Sequence, residues 1–220
     1  MIPKNLYICD KTLGGIKKKS LKWKKLNPEY HIELYDNDRC LESLDRKEDK
    51  DIFNFISDGP IKADFWRLCI LYKNGGVYVD ADNDPVIPIS DFLELSADIV
   101  TCNSFWHTKG MNFNPAFIMC KKENKFIKKC IDIYISWYRE KKPYSYWGWS
   151  IMEVFNILKL KDYNNSDGIY VDLEFGYKVQ IINEIETADD LYGEYNTYKG
   201  KNVFYNRSDD WDNINHCFIK

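Results

Sequence analysis

No stretch of this 220-residue chain approaches the about 18 consecutive apolar residues that a membrane-spanning helix requires. The opening Met1-Ile2-Pro3-Lys4-Asn5 carries no apolar signal segment either. The seven cysteines are odd in number and contain no C-x-x-C pair, and most sit beside apolar residues, as Cys69 does between Leu68 and Ile70. They read as small buried hydrophobes in a reducing, cytoplasmic setting rather than as a disulfide framework. Excess positive charge is missing too: the net charge of −3 argues against a general nucleic-acid binder. The chain lacks G-x-x-x-x-G-K-S/T, G-x-G-x-x-G, G-x-S-x-G and H-E-x-x-H. Those absences remove most nucleotide hydrolases, dehydrogenases, esterases and zinc proteases.

What is present is an ordinary globular balance, 45% hydrophobic and 30% charged, long enough for one sizeable core and a single domain over residues 1–220. Leu6 to Cys9 reads as a first strand, followed by a lysine-rich helix from Gly14-Gly15 to Asn27-Pro28 and a strand from Tyr30 to Tyr35. Asp36 is placed to cap a short helix ending at Leu44, and the all-charged residues 45–51 predict a solvated connection. Pro60 suits the first turn of a helix whose apolar stripe is Ile61, Phe65, Leu68 and Tyr72. Gly75-Gly76 ends it before a strand at Val77 to Val79. Further strands are predicted at Ile99 to Cys102 and Ala116 to Cys120, and helices over 123–138 and 148–160. Strand and helix units joined by short connections predict an α/β fold: a mixed, mainly parallel sheet flanked by helices.

The chemistry concentrates at Asp64-Phe-Trp-Arg67 and at Gly75-Gly76-Val77-Tyr78-Val79-Asp80-Ala81-Asp82. Asp80 and Asp82 follow a buried strand, where ligands of open α/β sheets collect. Their D-x-D spacing aims two hard oxygen donors at one place, which suits Mg2+ or Mn2+ together with a substrate phosphate. Asp64 and Arg67, three apart, share one helix face and are placed to grip a hydroxyl-rich, charged substrate. The bland alternatives are an acid pair that caps a turn and a plain Asp64–Arg67 surface ion pair. Asp80-Ala-Asp82-Asn-Asp84 also resembles the start of a calcium loop, but Pro85 stands where that loop requires Gly and Asp91 where it requires Glu.

The segment Ala63 to Ile89 closely resembles the family 32 glycosyltransferases, the "DXD" sugar transferases related to yeast initiating mannosyltransferase, bacterial capsule enzymes and clostridial glucosylating toxins. Weaker similarity extends to Ile2-Pro-Lys, Trp23, Asn27-Pro-Glu-Tyr30, Asn114-Pro-Ala-Phe-Ile and the region of His216. The resemblance implies a GT-A fold, a nucleotide-sugar donor, Mn2+ or Mg2+, and retention of anomeric configuration. By position, Asp82 would ligate the metal, and Asp80 would contact ribose or sugar and reach the metal through water. Asp64 would hydrogen-bond the donor sugar, Arg67 would lie beside sugar and phosphate, and His216 would contact metal or diphosphate. Tyr7 stands where the family usually shows His, and Asp10 stands roughly where it shows Trp. Tyr7 or another aromatic is therefore expected to take the place near the base.

Two further features remain. Tyr144-Ser-Tyr146-Trp147-Gly148-Trp149-Ser150 clusters aromatics at a predicted helix start, where the family often has Thr-Gly-Pro; Trp147 and Gly148 are read as donor- or acceptor-side lid residues, with core packing the alternative. Lys17, Lys18, Lys19, Lys22, Lys24 and Lys25 make a basic helix face, either simply solvated or a peripheral membrane contact. The expected activity is transfer of a hexose from a nucleotide-sugar, a UDP-sugar first and GDP-mannose second, to a glycan or glycoconjugate. The alternatives are a non-catalytic sugar-nucleotide binder and a metal-dependent phosphohydrolase.

Overall fold

Strand β1 (Asn5–Cys9), helix α1 (Leu13–Leu26) and strand β2 (His31–Tyr35) form the first crossover of the protein, for which a computed structural model describes residues 2–104, 112–186 and 193–207. Helix α2 (Asn37–Ser43) begins as its sequence requires, with the Asp36 carboxylate accepting from Arg39 N–H at 3.0 Å. Residues 45–51 are not the expected loop: α3 (Lys47–Phe55) starts inside them. Glu48 and Asp49 favour its first turn, Ile52 and Phe53 are buried, and Arg46 grips the almost buried Asp49 at 2.6 and 2.8 Å. The charge run hid a helix whose apolar residues all lie in its second half.

Helix α4 (Gly59–Asn74) runs back to β3 (Gly76–Asp80), and a two-residue turn leads to β4 (Asn83–Pro85). The connection depends on its glycines. Gly75 and Gly76 have φ of 65° and 110°, and a Cβ on Gly76 would lie 2.6 Å from the Asn5 carbonyl. Then follow β5 (Ile99–Asn103), β6 (Phe113–Cys120), α5 (Lys125–Arg139), α6 (Ile151–Phe155), β7 (Gly168–Val171), β8 (Lys178–Glu186), β9 (Gly193–Tyr198) and β10 (Lys201–Arg207). The helix expected over 148–160 is thus much shorter. A 3-10 turn at Trp147–Trp149 precedes it, and Leu160 instead bridges to Asp172.

The strands order β2-β1-β3-β6-β5-β8-β9-β10-β4, with β7 beside β8. From β2 to β8, five of six strands run the same way and β6 runs against them, as the pairings β1–β2, β1–β3 and β5–β8 (parallel) and β3–β6 and β5–β6 (antiparallel) require. The mixed, mainly parallel sheet is therefore found here, with an antiparallel extension through β9, β10 and β4. Alternate residues feed two cores. Tyr7, Tyr78, Phe65, Trp66, Phe126 and Tyr134 pack on the side of α2 to α6, and Leu6, Ile8, Val77, Val79, Phe117 and Trp23 pack under α1. Burial on both faces explains why these strands read as continuous apolar runs. Every described cysteine is free; all are buried except the half-buried Cys69.

Candidate active site

Because β1, β2, β3, β5 and β8 share a direction, their carboxyl ends meet at one edge of the sheet, and Asp80 ends β3 there opposite Cys9 of β1. Helix α4 packs over this edge with its Asp64 and Arg67 turned inward, 7% and 5% exposed. Arg67 Nη2 donates to Asp64 Oδ1 and Asp80 Oδ1, both at 2.9 Å. Its Nη1 donates to the Pro115 carbonyl at 2.9 Å, and its Nε to Ala63 O at 3.3 Å. The guanidinium also lies 4.2 Å from the centroid of Tyr78, whose hydroxyl donates to Asp80 Oδ1 at 2.8 Å. One cation is thus fixed between two carboxylates, an aromatic face and two backbone carbonyls. A plain surface pair is excluded by its burial.

Charge and burial oppose each other here. Burial pushes the Asp64 carboxyl up to about 6, more than Arg67 and the Ile151 N–H, which donates to Asp64 Oδ2 at 2.9 Å, pull it down. For Arg67 burial disfavours the charge, yet Asp80, Tyr78 and Asp64 together raise its pKa above the ordinary value. Burial, helped by the neighbouring Asp80, raises the Tyr78 phenol, so it stays a hydrogen-bond donor.

Asp82 is half-buried in the turn between β3 and β4, and Asp84 is drawn off by Lys22 at 2.7 Å. Asn83 is held between them, its amide donating to Ala116 O at 3.0 Å and its carbonyl accepting from the Trp23 indole at 3.0 Å. Among the described residues no three His, Cys, Asp or Glu side chains form a ready cation cage. Asp80 and Asp82 are instead a partial set of hard oxygen donors, the kind that substrate phosphate oxygens complete for Mg2+. The residues fit a divalent cation on those terms. His216 lies outside the described residues.

The remaining expectations divide. Tyr7 is completely buried, packed against Tyr35, with its ring edge 3.3 Å from where a Cβ on Gly76 would stand. It offers no open face for a base, because the pleat turns it into the helix-side core. Asp10 is exposed just past β1. The aromatic cluster is split between roles. Trp149 is core, packed at tilted angles among Phe55, Trp137 and Tyr144, its carbonyl accepting from Tyr134. Trp147 is 38% exposed and packs edge-on against Tyr146. Gly148 accepts from Lys142 at 2.7 Å, and the Ser145 hydroxyl occupies the space of a side chain there. Tyr146 packs against Trp147, and burial and then the Asp64, Asp58 and Asp80 charges raise its phenol. His31 is exposed at the opposite end of β2.

Sequence reading missed a second polar group on the same edge. Asn103 donates to Asn183 Oδ1 at 2.6 Å and accepts from Glu184 N–H at 2.8 Å. Asn114, next to the Pro115 that binds Arg67, donates to Glu184 Oε1 at 2.5 Å. Only Asn114, within the Asn-Pro-Ala-Phe-Ile segment, carried any sequence signal.

Residues 16–106, which include α4, β3 and the acid pair, match the family model described as a glycosyltransferase sugar-binding region containing a DXD motif. No curated protein matches in sequence. In structure the protein is similar to the PaToxG glycosyltransferase, with a TM-score of 0.58 at 18% identity over 71% of this chain and 68% of that one. The apo form of the glycosyltransferase GlyE of Streptococcus pneumoniae TIGR4 is more distant, at a TM-score of 0.44 and 13% identity over 70% of this chain and 42% of that one. So is the galactosyltransferase LgtC in complex with donor and acceptor sugar analogues, at 0.44 and 9% over 69% of each chain. The fold is the GT-A fold, and within it residues 16–106 match a glycosyltransferase sugar-binding region.

Proposed function

We propose that the protein is a metal-dependent, retaining hexosyltransferase of family 32, carried by one GT-A-like domain and working in a reducing, cytoplasmic compartment. It uses a nucleoside diphosphate sugar, a UDP-sugar before GDP-mannose, and a glycan or glycoconjugate hydroxyl as acceptor. The observation that carries this reading is the buried Asp64–Arg67–Asp80 unit beside Asp82 at the carboxyl edge of the sheet. In the transfer, the bond from the anomeric carbon to the diphosphate oxygen breaks. A bond to the acceptor oxygen forms, and the acceptor proton leaves with the departing diphosphate.

Asp82, with Asp80 through water, would hold Mn2+ or Mg2+, which neutralises negative charge gathering on the leaving diphosphate. Asp64 accepts hydrogen bonds from donor-sugar hydroxyls in its ionised form. Arg67 fixes Asp64 and Asp80 in one geometry and brings its positive charge near the sugar–phosphate link. Tyr78 holds the Asp80 carboxylate from below. Tyr146 and Trp147 supply aromatic surface beside the sugar, and His216 would contact the metal or diphosphate.

The test is to incubate the purified protein with Mn2+ and a panel of UDP- and GDP-sugars, with and without glycan acceptors. Release of nucleoside diphosphate from one donor, lost in Asp80→Asn, is the expected result. Tight donor binding with no turnover at any acceptor would make the protein a binder. Inorganic phosphate released from many phosphate esters would make it a phosphohydrolase.

A further inference from the structure

Helix α1 holds six lysines and no acid in Leu13–Leu26, in a chain whose net charge is −3. The rest of the chain therefore carries −9, the difference between −3 and +6. Lys17, Lys18, Lys24 and Lys25 are exposed, and none has an ion-pair partner among the described residues. Most exposed helices interleave acids with lysines at three- and four-residue spacing, whereas here Lys18 and Lys22 repel across one turn. The same face presents Leu21, 65% exposed. Lys18, Leu21 and Lys25 fall at i, i+3 and i+7, one line along the pole opposite the buried Ile16 and Trp23. A leucine therefore stands at the middle of a cation field.

We propose that this face of α1 docks on an anionic bilayer surface. Its lysines match the negative surface potential of acidic lipid headgroups. Leu21 marks a bilayer rather than a nucleic acid, because an exposed aliphatic side chain gains nothing from a phosphodiester backbone but enters the acyl boundary. The helix is built to dock without unfolding. Its underside is fixed by the Trp23 indole on Asn83 O and by Lys22 on Asp84, so the docking lysines are not those that hold the fold. The same two bonds tie α1 to the strand that follows the acid pair, and docking therefore sets the position of that turn above the lipid. None of this depends on the transferase reading.

The test is co-sedimentation of the whole protein with phosphatidylcholine vesicles with and without phosphatidylglycerol. Three variants are compared with wild type: the quadruple Lys17→Ser, Lys18→Ser, Lys24→Ser and Lys25→Ser, Leu21→Ser alone, and Lys73→Ser on another surface as the control. Melting temperatures check that each is folded. Binding should require phosphatidylglycerol and weaken as salt shortens the screening length from about 10 to about 3 Å. It should fall at least about 100-fold in the quadruple variant and less in Leu21→Ser, and stay unchanged in Lys73→Ser. No sedimentation with phosphatidylglycerol vesicles would overturn the proposal, as would a folded quadruple variant that binds like wild type. Retention on duplex DNA or heparin at ionic strengths that release the vesicles would reassign the face to polyanions.

Discussion

On the α4–β3 side of the carboxyl edge, a single guanidinium is held by two carboxylates; on the β5–β8 side, Asn103, Asn114, Asn183 and Glu184 bond chiefly to one another. The first group is a charge device. With Asp82 its net charge is negative, which suits a divalent cation and a diphosphate held together. The second is a directional device: amides whose orientations are fixed by their neighbours suit neutral hydroxyls, which need donors and acceptors in set positions more than they need field. On the proposed reading, the first side holds metal, phosphate and the sugar hydroxyls that reach Asp64, and the second holds further hydroxyls of donor or acceptor.

The sharpest way to break the first half is to remove its cation. Arg67→Ala removes the cation from the buried Asp64 and the half-buried Asp80, leaving them one backbone and one phenol donor, and should cost about 3–5 kcal/mol in urea unfolding along with all transfer activity. Arg67→Lys keeps a charge but not the fork, and should fall between wild type and Ala. An Arg67→Ala protein as stable as wild type would show that the carboxylates are already protonated or solvated.

The second prediction uses pH. The folded Asp64 carboxyl titrates at about 6, above its ordinary 3.8, so between those values the native state alone holds the proton. Stability from this group is therefore greatest below pH about 4, falls as pH rises, and is fully lost above about 6, a change of roughly 3 kcal/mol. Asp64→Asn should remove that slope from urea midpoints measured across the same range. If both proteins keep the same slope, the buried carboxyl is not its source.

Glu184→Gln and Asn114→Ala sharpen the comparison from the other side. Each should lower kcat/KM for the nucleotide-sugar about tenfold or more while leaving metal-dependent nucleotide binding intact, with a stability cost of about 1–2 kcal/mol. If nucleotide binding falls equally, the two halves are not functionally separate. The smallest effect is expected for Tyr78→Phe, which removes one hydroxyl bond to Asp80 and should cost about 1 kcal/mol, since its ring keeps the contact with Arg67.

The two halves also differ in how far sequence revealed them. Asp64, Arg67 and Asp80 could be read because each lies on a regular element with a local signature: helix spacing, a glycine stop and an acid at a strand end. Arg67 and Asp80 are only 13 residues apart. Asn103 and Asn183 are 80 apart, and Asn114 and Glu184 are 70 apart. Single asparagines and a glutamate carry no periodic signal, and it takes the pairing of β5 with both β6 and β8 to bring them together. Tyr7 failed for a related reason. Its place in a motif said which strand it occupied, while the pleat decided that its ring faces the core. α3 was missed because its charged half precedes its apolar half, and Asp49 is buried only through Arg46.

The central claim is that Asp82 and a substrate diphosphate together hold the cation. The direct measurement is the melting temperature with Mn2+ plus UDP, GDP and their sugars, in wild type and Asp82→Asn. A rise that needs both Mn2+ and one nucleotide class, and is absent in a folded Asp82→Asn, is the predicted result. No shift with any nucleotide, or an equal shift in Asp82→Asn, would contradict the account and leave the acid pair as a turn.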